Sequence, residues 1–217
     1  MTDEFVQTVD EITEEDVDLN ELQQLGREML LDPVEEEDAG NKLGVLIGKG
    51  GTDKSTTINA ALCEVQQKHG VESVVKFAMT EMAATVIGAS TLYSSKHGLS
   101  FPVGRQQFRE LSGDRLIRLQ TRFANVKLII IDEYSMLRSK ELCFIDHFLH
   151  QISGKNKLFG GFAVLFVGDP AQIPVVLGKT LWDSSAKTEH DKFGQMFCKG
   201  FFKKVVELLV GCGACRH

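Results

Sequence analysis

Two carboxylates, Asp132 and Glu133, stand side by side at the end of the apolar run Leu128-Ile129-Ile130-Ile131. Upstream, Gly48-Lys49-Gly50-Gly51-Thr52-Asp53-Lys54-Ser55 has the spacing of a phosphate-binding loop, G-x-x-x-x-G-K-S/T, with aspartate in place of its second glycine. Glycines in such a loop let backbone amides point at phosphate oxygens, and the helix that follows adds a favourable dipole. Gly48, Gly50, Gly51 and Thr52 are therefore candidates for holding phosphate, with Thr56 completing the set. Lys54 is placed to reach the β- and γ-phosphates, and Ser55 to ligate magnesium. Asp132 is suited to hold the same Mg2+, and Glu133 to orient and deprotonate an attacking water. Downstream, Gly168-Asp169-Pro170-Ala171-Gln172-Ile173-Pro174 offers Gln172 as a reader of the γ-phosphate.

Each motif alone has a plainer reading: a glycine-rich turn, a polar cap on a strand, a proline-bounded loop. Their order favours nucleotide hydrolysis, because successive strands of one parallel sheet deliver their loops to the same edge. Asp53 works against it. A carboxylate beside a triphosphate in a partly desolvated site costs on the order of several kcal/mol.

The elements that must position these residues follow from periodicity. Leu43 to Ile47 is a short apolar run that ends at the glycine-rich loop. Lys54 to Lys68 reads as a helix with Ile58, Ala61, Leu62 and Val65 on one face. Ser73 to Ala78 is strand-like, Ala83 to Ile87 a short helix, and Phe108 to Phe123 a helix turning Leu111, Leu116, Leu119 and Phe123 inward. Val126 to Ile131 and Phe162 to Val167 are unbroken apolar runs of the kind buried on both faces of a parallel sheet, with a helix over Leu142 to Ile152 between them. The alternation predicts a single α/β domain with a mainly parallel central sheet flanked by helices.

Charge is distributed unevenly. Met1 to Asp38 holds 15 acidic residues and one basic residue, Arg27, which leaves the remainder at a net charge of +8 inside a chain of net −6. A basic body suits a polyanionic partner such as nucleic acid, or is simply a solvated surface. No apolar run approaches the ~20 residues that span a bilayer, so no membrane partner is expected. Five cysteines without regular spacing point to a reducing, intracellular compartment. Cys212-x-x-Cys215 with His217 and Cys198 has partial zinc-ligand spacing, but with one close pair free thiols are the preferred reading. His147 and His150 are assigned to a helix flank.

Together the motifs resemble the Pif (petite integration frequency) family of superfamily-one DNA helicases. Thr80-Glu81-Met82-Ala83-Ala84 with Gly88-Ala89-Ser90-Thr91-Leu92-Tyr93-Ser94 looks like the family's T-G-x-A-A and G-x-T-x-H-S segment. Phe108 to Gly113, Asp132-Glu133-Tyr134-Ser135-Met136, Phe159-Gly160-Gly161 and Gly168 to Gln172 are also family-like. Leu19-Asn20-Glu21-Leu22-Gln23 is similar to an element whose glutamine recognises adenine, which makes Gln23 a nucleotide-binding candidate. The resemblance implies a RecA-like P-loop domain over 42–210, ATP and Mg2+ as cofactors, and single-stranded or fork DNA as partner. By the same resemblance Thr80, Thr91, Tyr93 and Ser94 line the DNA, Arg216 is the arginine of a later nucleotide-binding motif, and the setting is nuclear, with mitochondria as the alternative.

The resemblance further implies a second RecA-like domain after this one, so 211–217 read as a short tail at a truncation. Residues 1–18 read as an acidic, disordered leader and 19–41 as a helical segment before the loop. Oligomeric state is not indicated. Glu81 in place of glycine and Tyr93 in place of histidine depart from the family pattern: a carboxylate repels a phosphate backbone, whereas a tyrosine stacks on a base or simply packs. An incomplete or impaired helicase and a non-catalytic DNA- or partner-binding remnant are the two readings to separate. An unrelated small-molecule kinase is disfavoured by the Thr80 to Ser94 segment and the Gln172 loop.

Overall fold

The computed structural model describes residues 43–48, 54–94, 99, 110–169, 181, 188, 189, 191–194, 196, 206 and 207, together with 24, 27, 31 and 34; for 54–57, 206 and 207 it describes the backbone alone. Six strands form one sheet: β1 (Leu43–Ile47), β2 (Val74–Ala78), β3 (Ser90–Thr91), β4 (Leu128–Asp132), β5 (Ala163–Gly168) and β6 (Val206–Glu207). Their spatial order is β3-β2-β4-β5-β1-β6, and every neighbouring pair is parallel. Among the described residues the connections include the helices α1 (Lys54–His69), α2 (Glu81–Val86), α3 (Gly113–Phe123) and α4 (Ser139–Ser153).

The apolar runs of β4 and β5 are unbroken because the sheet is covered on both sides. Ile129, Ile131, Val164 and Phe166 point into one core, filled by Leu119 and Phe123 of α3 and by Leu142, Phe148 and Ile152 of α4. Leu128, Ile130, Leu165 and Val167 point into the other, filled by Ala61, Leu62 and Val65 of α1 with Ile58 beside them. Truncating one of the fully buried leucines, isoleucines or phenylalanines among these to alanine costs about 2–5 kcal/mol. Ahead of β1, Leu31 and Val34 lie on helical turns that pack on this second core, and Arg27 pairs with Glu64 of α1. The expected helical face of Leu22, Leu25, Met29 and Leu30 lies outside the described residues, as do Trp182 and the leader.

One element starts later than its periodicity predicts. Leu111 faces the core as expected, but α3 begins only at Gly113. The Leu111 N–H is donated to the Gln151 side-chain carbonyl at 2.9 Å, and Ser112 is extended at φ −150°, ψ 162°. Gly113 follows at φ 55°, so the backbone across 111–113 is not a helical turn. Among the described residues no helix is long and apolar enough to cross a membrane.

Candidate active site

Parallel strands place all their C-terminal ends on one edge, and the register brings the candidate chemistry together there. Ala78 of β2 is level with Asp132 of β4 and with Thr91 of β3, while Ile47 of β1 is level with Gly168 of β5. The edge therefore carries Gly48, Thr80, Thr91, the Asp132–Glu133 pair and Asp169. The Gly48 N–H donates to the Gly168 carbonyl at 3.3 Å, which ties the start of the phosphate-binding loop to the end of β5. Ser55 and Thr56 lie in the first turn of α1, whose N-terminus opens onto this edge. Lys49 to Asp53, Gln172, Gln23 and Arg216 lie outside the described residues.

At the end of β4 the chain turns sharply. Glu133 adopts φ 56°, ψ 38°, a left-handed conformation that costs a residue with a side chain about 1–2 kcal/mol. Its N–H donates to Asp132 Oδ1 at 2.8 Å, and its carbonyl accepts from the Met136 N–H at 2.9 Å. Tyr134 is then driven into the core, where its ring meets Phe166 edge-on at 6.3 Å. The bend leaves Asp132 in line with the strand and sends the Glu133 side chain towards β2. There the Thr80 hydroxyl donates to Glu133 Oε2 at 2.9 Å while accepting the Ala83 N–H at 3.2 Å as the N-cap of α2.

The residues expected to line DNA also meet carboxylates. Thr91, buried in β3, donates its hydroxyl proton to Glu81 Oε1 at 3.2 Å. Tyr93 packs its ring against the core and donates to Glu141 Oε1 at 2.7 Å. Burial, and then the adjoining Glu141 charge, push the Tyr93 hydroxyl well above the ordinary phenol range. Glu141 is itself buried at the start of α4, where it accepts the Arg138 N–H at 2.9 Å and pairs with the Arg138 guanidinium. Ser94 closes the segment with its N–H on the Thr91 carbonyl at 3.1 Å.

These carboxylate partners are what spacing alone missed. Glu141 carries one faint signal, a glutamate three residues into a helix, where such side chains return to the N-cap. Elsewhere, His147 Nδ1 meets the Cys143 carbonyl at 2.8 Å, and His150 Nε2 lies 3.5 Å from Asp146 without a hydrogen bond, so both rings lie along their own helix. Among the described residues no three His, Cys, Asp or Glu side chains are grouped to hold a metal ion. Cys198, Cys212, Cys215 and His217 fall outside that set.

A family model described as PIF1-like helicase matches residues 19–192. The chain belongs to this family. The ATP-dependent DNA helicase Pif1 of Psychrobacter is 30% identical over 152 residues, covering 70% of this chain and 22% of the relative. The ATP-dependent DNA helicase RRM3 of Saccharomyces cerevisiae is 29% identical over 133 residues, covering 61% of this chain and 18% of the relative. The chain thus spans less than a quarter of either. A solved Pif1 helicase from Bacteroides, in complex with ADP-AlF3 and ssDNA, superposes with a TM-score of 0.55 at 28% identity, over 74% of this chain and 34% of that one. The fold of this PIF1-like chain is accordingly the RecA-like P-loop fold. Its sheet order sets β5 between the loop-bearing β1 and the carboxylate-bearing β4.

Proposed function

We propose that the chain is the nucleotide-hydrolysing motor domain of an ATP-dependent DNA helicase, acting on single-stranded or forked DNA. The 5′-to-3′ polarity, a place in repair, recombination and telomere maintenance, and a nuclear or mitochondrial setting come with the family resemblance. What carries the reading is the gathering of Gly48, Asp132 and Glu133 on one edge of a parallel sheet, beside Thr80 and Thr91. The domain extends over 42–210.

In this reading Gly48, Gly50, Gly51, Thr52 and Thr56 hold the phosphates of ATP, while Lys54 neutralises the β- and γ-oxygens. Gln23 contacts the base, and Gln172 and Arg216 contact the phosphate end. Magnesium, when bound, neutralises charge on the phosphate oxygens. The residues fit such a hard cation: the Asp132 carboxylate stands at the end of β4, and Ser55 lies in the first turn of the helix after the loop. Glu133 orients the attacking water and takes its proton, a role that requires its carboxylate within about 3 Å of that water. Thr80, Thr91, Tyr93 and Ser94 line the DNA track.

A second reading, a DNA- or partner-binding member without turnover, is favoured by Asp53 in the loop and Glu81 on the track. ATP turnover with and without oligo(dT), on the chain, on Asp53→Gly and on Glu133→Gln, separates the two. DNA-stimulated hydrolysis that Glu133→Gln abolishes is expected, with Asp53→Gly faster by about tenfold or more, the worth of relieving a few kcal/mol of repulsion. Oligo(dT) binding with no hydrolysis by the chain or by Asp53→Gly would overturn the enzymatic reading in favour of the second.

A further inference from the structure

Thr80 and Glu133 are 53 residues apart in the chain and adjacent in the sheet. Ala78 and Asp132 are level on neighbouring strands, so the residue two beyond one meets the residue next to the other. A threonine hydroxyl has a single proton and two lone pairs. In Thr80 one lone pair accepts the Ala83 N–H, and the hydroxyl donates its hydrogen bond to Glu133 Oε2 at 2.9 Å. Both side chains are half-buried, so solvent and ligands reach them. The direction of the bond matters. β4 lies between β2 and β5, and the loop-bearing β1 lies beyond β5. Thr80 therefore draws the Glu133 carboxylate to the side of β4 opposite the phosphate-binding loop.

We propose that the Thr80 hydroxyl is a positioning switch: it holds Glu133 off the nucleotide until a DNA phosphate oxygen accepts its hydrogen bond instead. This rests on the functional reading above. One proton serves one acceptor, so Thr80 donates either to Glu133 or to a phosphate oxygen, and single-stranded DNA and the Thr80–Glu133 bond exclude each other. Exclusion of this kind couples two sites whatever the distance between them, and the coupling in binding is reciprocal. DNA on the track frees Glu133 to swing towards water at the γ-phosphate; removing the Glu133 carboxylate frees the Thr80 proton for DNA. Thr91 and Tyr93 also donate to carboxylates, but neither Glu81 nor Glu141 is assigned a part in hydrolysis, so among the described residues it is the Thr80 pair that joins track to chemistry.

The test is a double-mutant cycle on the full chain, read by oligo(dT) binding without nucleotide, with ATP turnover alongside. Glu133→Ala is expected to tighten oligo(dT) binding by about threefold to tenfold, the net worth of one typical hydrogen bond. In a Thr80→Val background the same change should do much less; its residue there measures the simple loss of a negative charge. Thr80→Val should raise kcat in the absence of DNA with KM unchanged and lose DNA stimulation. Thr80→Ser, which keeps both the cap and the proton, should behave as the parent. If Thr80→Val fails to fold for want of its α2 cap, the Glu133→Ala arm, which leaves that cap untouched, decides: unchanged or weaker oligo(dT) binding there overturns the switch. An additive binding cycle, or full DNA stimulation in Thr80→Val, overturns the switch and leaves the helicase reading standing. If the parent turns over no ATP but binds oligo(dT), the binding cycle alone decides. If it does neither, the functional reading fails, and the switch with it.

Discussion

The ring of Tyr134 lies so close to Gly168 that a Cβ at position 168 would stand 3.0 Å from its Cδ1 and 3.3 Å from the Tyr134 backbone nitrogen. Gly168 also accepts the Gly48 N–H, so one residue without a side chain seats both the turn after Glu133 and the start of the phosphate-binding loop. Gly168→Ala is expected to push the two apart by a few tenths of an ångström. Misplacement of catalytic groups on that scale costs on the order of tenfold or more in rate. We expect ATP turnover to fall by about that factor while thermal unfolding moves by only a few degrees. A large fall in Tm with proportionate loss of turnover would instead make Gly168 a folding residue.

A second contact holds the other end of β5. Buried Asp146 of α4 accepts the Phe159 N–H at 2.6 Å, fixing a turn in which Phe159 and Gly160 have φ of 49° and 63°. A Cβ at Gly160 would stand 2.3 Å from the Leu149 carbonyl oxygen, a clash with backbone that has no flexible end to move. Asp146→Ala should destabilise the chain by about 1–3 kcal/mol, through the orphaned N–H. Gly160→Ala should cost at least as much, since it adds strain at positive φ. Urea unfolding measures both, and stability within ~0.5 kcal/mol of the parent for either would refute the account.

Much of this fold is legible in the sequence because strands buried on both faces leave continuous apolar runs. β4 and β5 stand out for that reason, and α1 through the spacing of Ala61, Leu62 and Val65. The start of α3 is not legible. Leu111 fits the helical period and does reach the core, but periodicity records which side a residue faces and not where its N–H goes. The phosphate-binding loop and the Asp132–Glu133 pair are local strings that carry their own chemistry. Thr80–Glu133, Thr91–Glu81 and Tyr93–Glu141 are different: two of the three span about fifty residues, and all depend on β3, β2 and β4 being neighbours. Until the strand order is known, nothing in the sequence ties any of these carboxylates to its hydroxyl partner.

Glu81 gives the next prediction. Its carboxylate holds the Thr91 proton on the edge assigned to DNA, where it also adds repulsion. Glu81→Gly should free Thr91 and remove one negative charge, tightening oligo(dT) binding by about threefold to tenfold. The electrostatic share should fade as salt is raised, whereas the share from the freed hydroxyl should persist. Glu81→Gln separates them further, because an amide oxygen still accepts from Thr91 without the charge. Unchanged or weaker binding in Glu81→Gly would remove Thr91 from the DNA track.

Alkaline pH supplies a test that needs neither ATP nor DNA. Burial, and secondarily the charge of Asp146, push the Cys143 thiol from 9.0 to about 11, and burial beside Glu141 raises the Tyr93 hydroxyl above 10.0. Both groups are neutral when protonated, and both hold their protons more tightly in the folded chain. The unfolded chain therefore releases protons first as pH rises. The stability the two groups contribute is fully present below pH 9, and that of Cys143 is lost between about 9 and 11. The expected loss over that window is on the order of 1–2 kcal/mol. Cys143→Ala should be less stable at neutral pH, for want of a buried side chain, yet show a shallower alkaline fall. Tyr93→Phe should flatten the limb above pH 10 while keeping the ring in place. Denaturant midpoints measured from pH 7 to pH 11 resolve the two limbs. A fall in stability of equal steepness in both variants and the parent would mean that neither buried group governs the alkaline response.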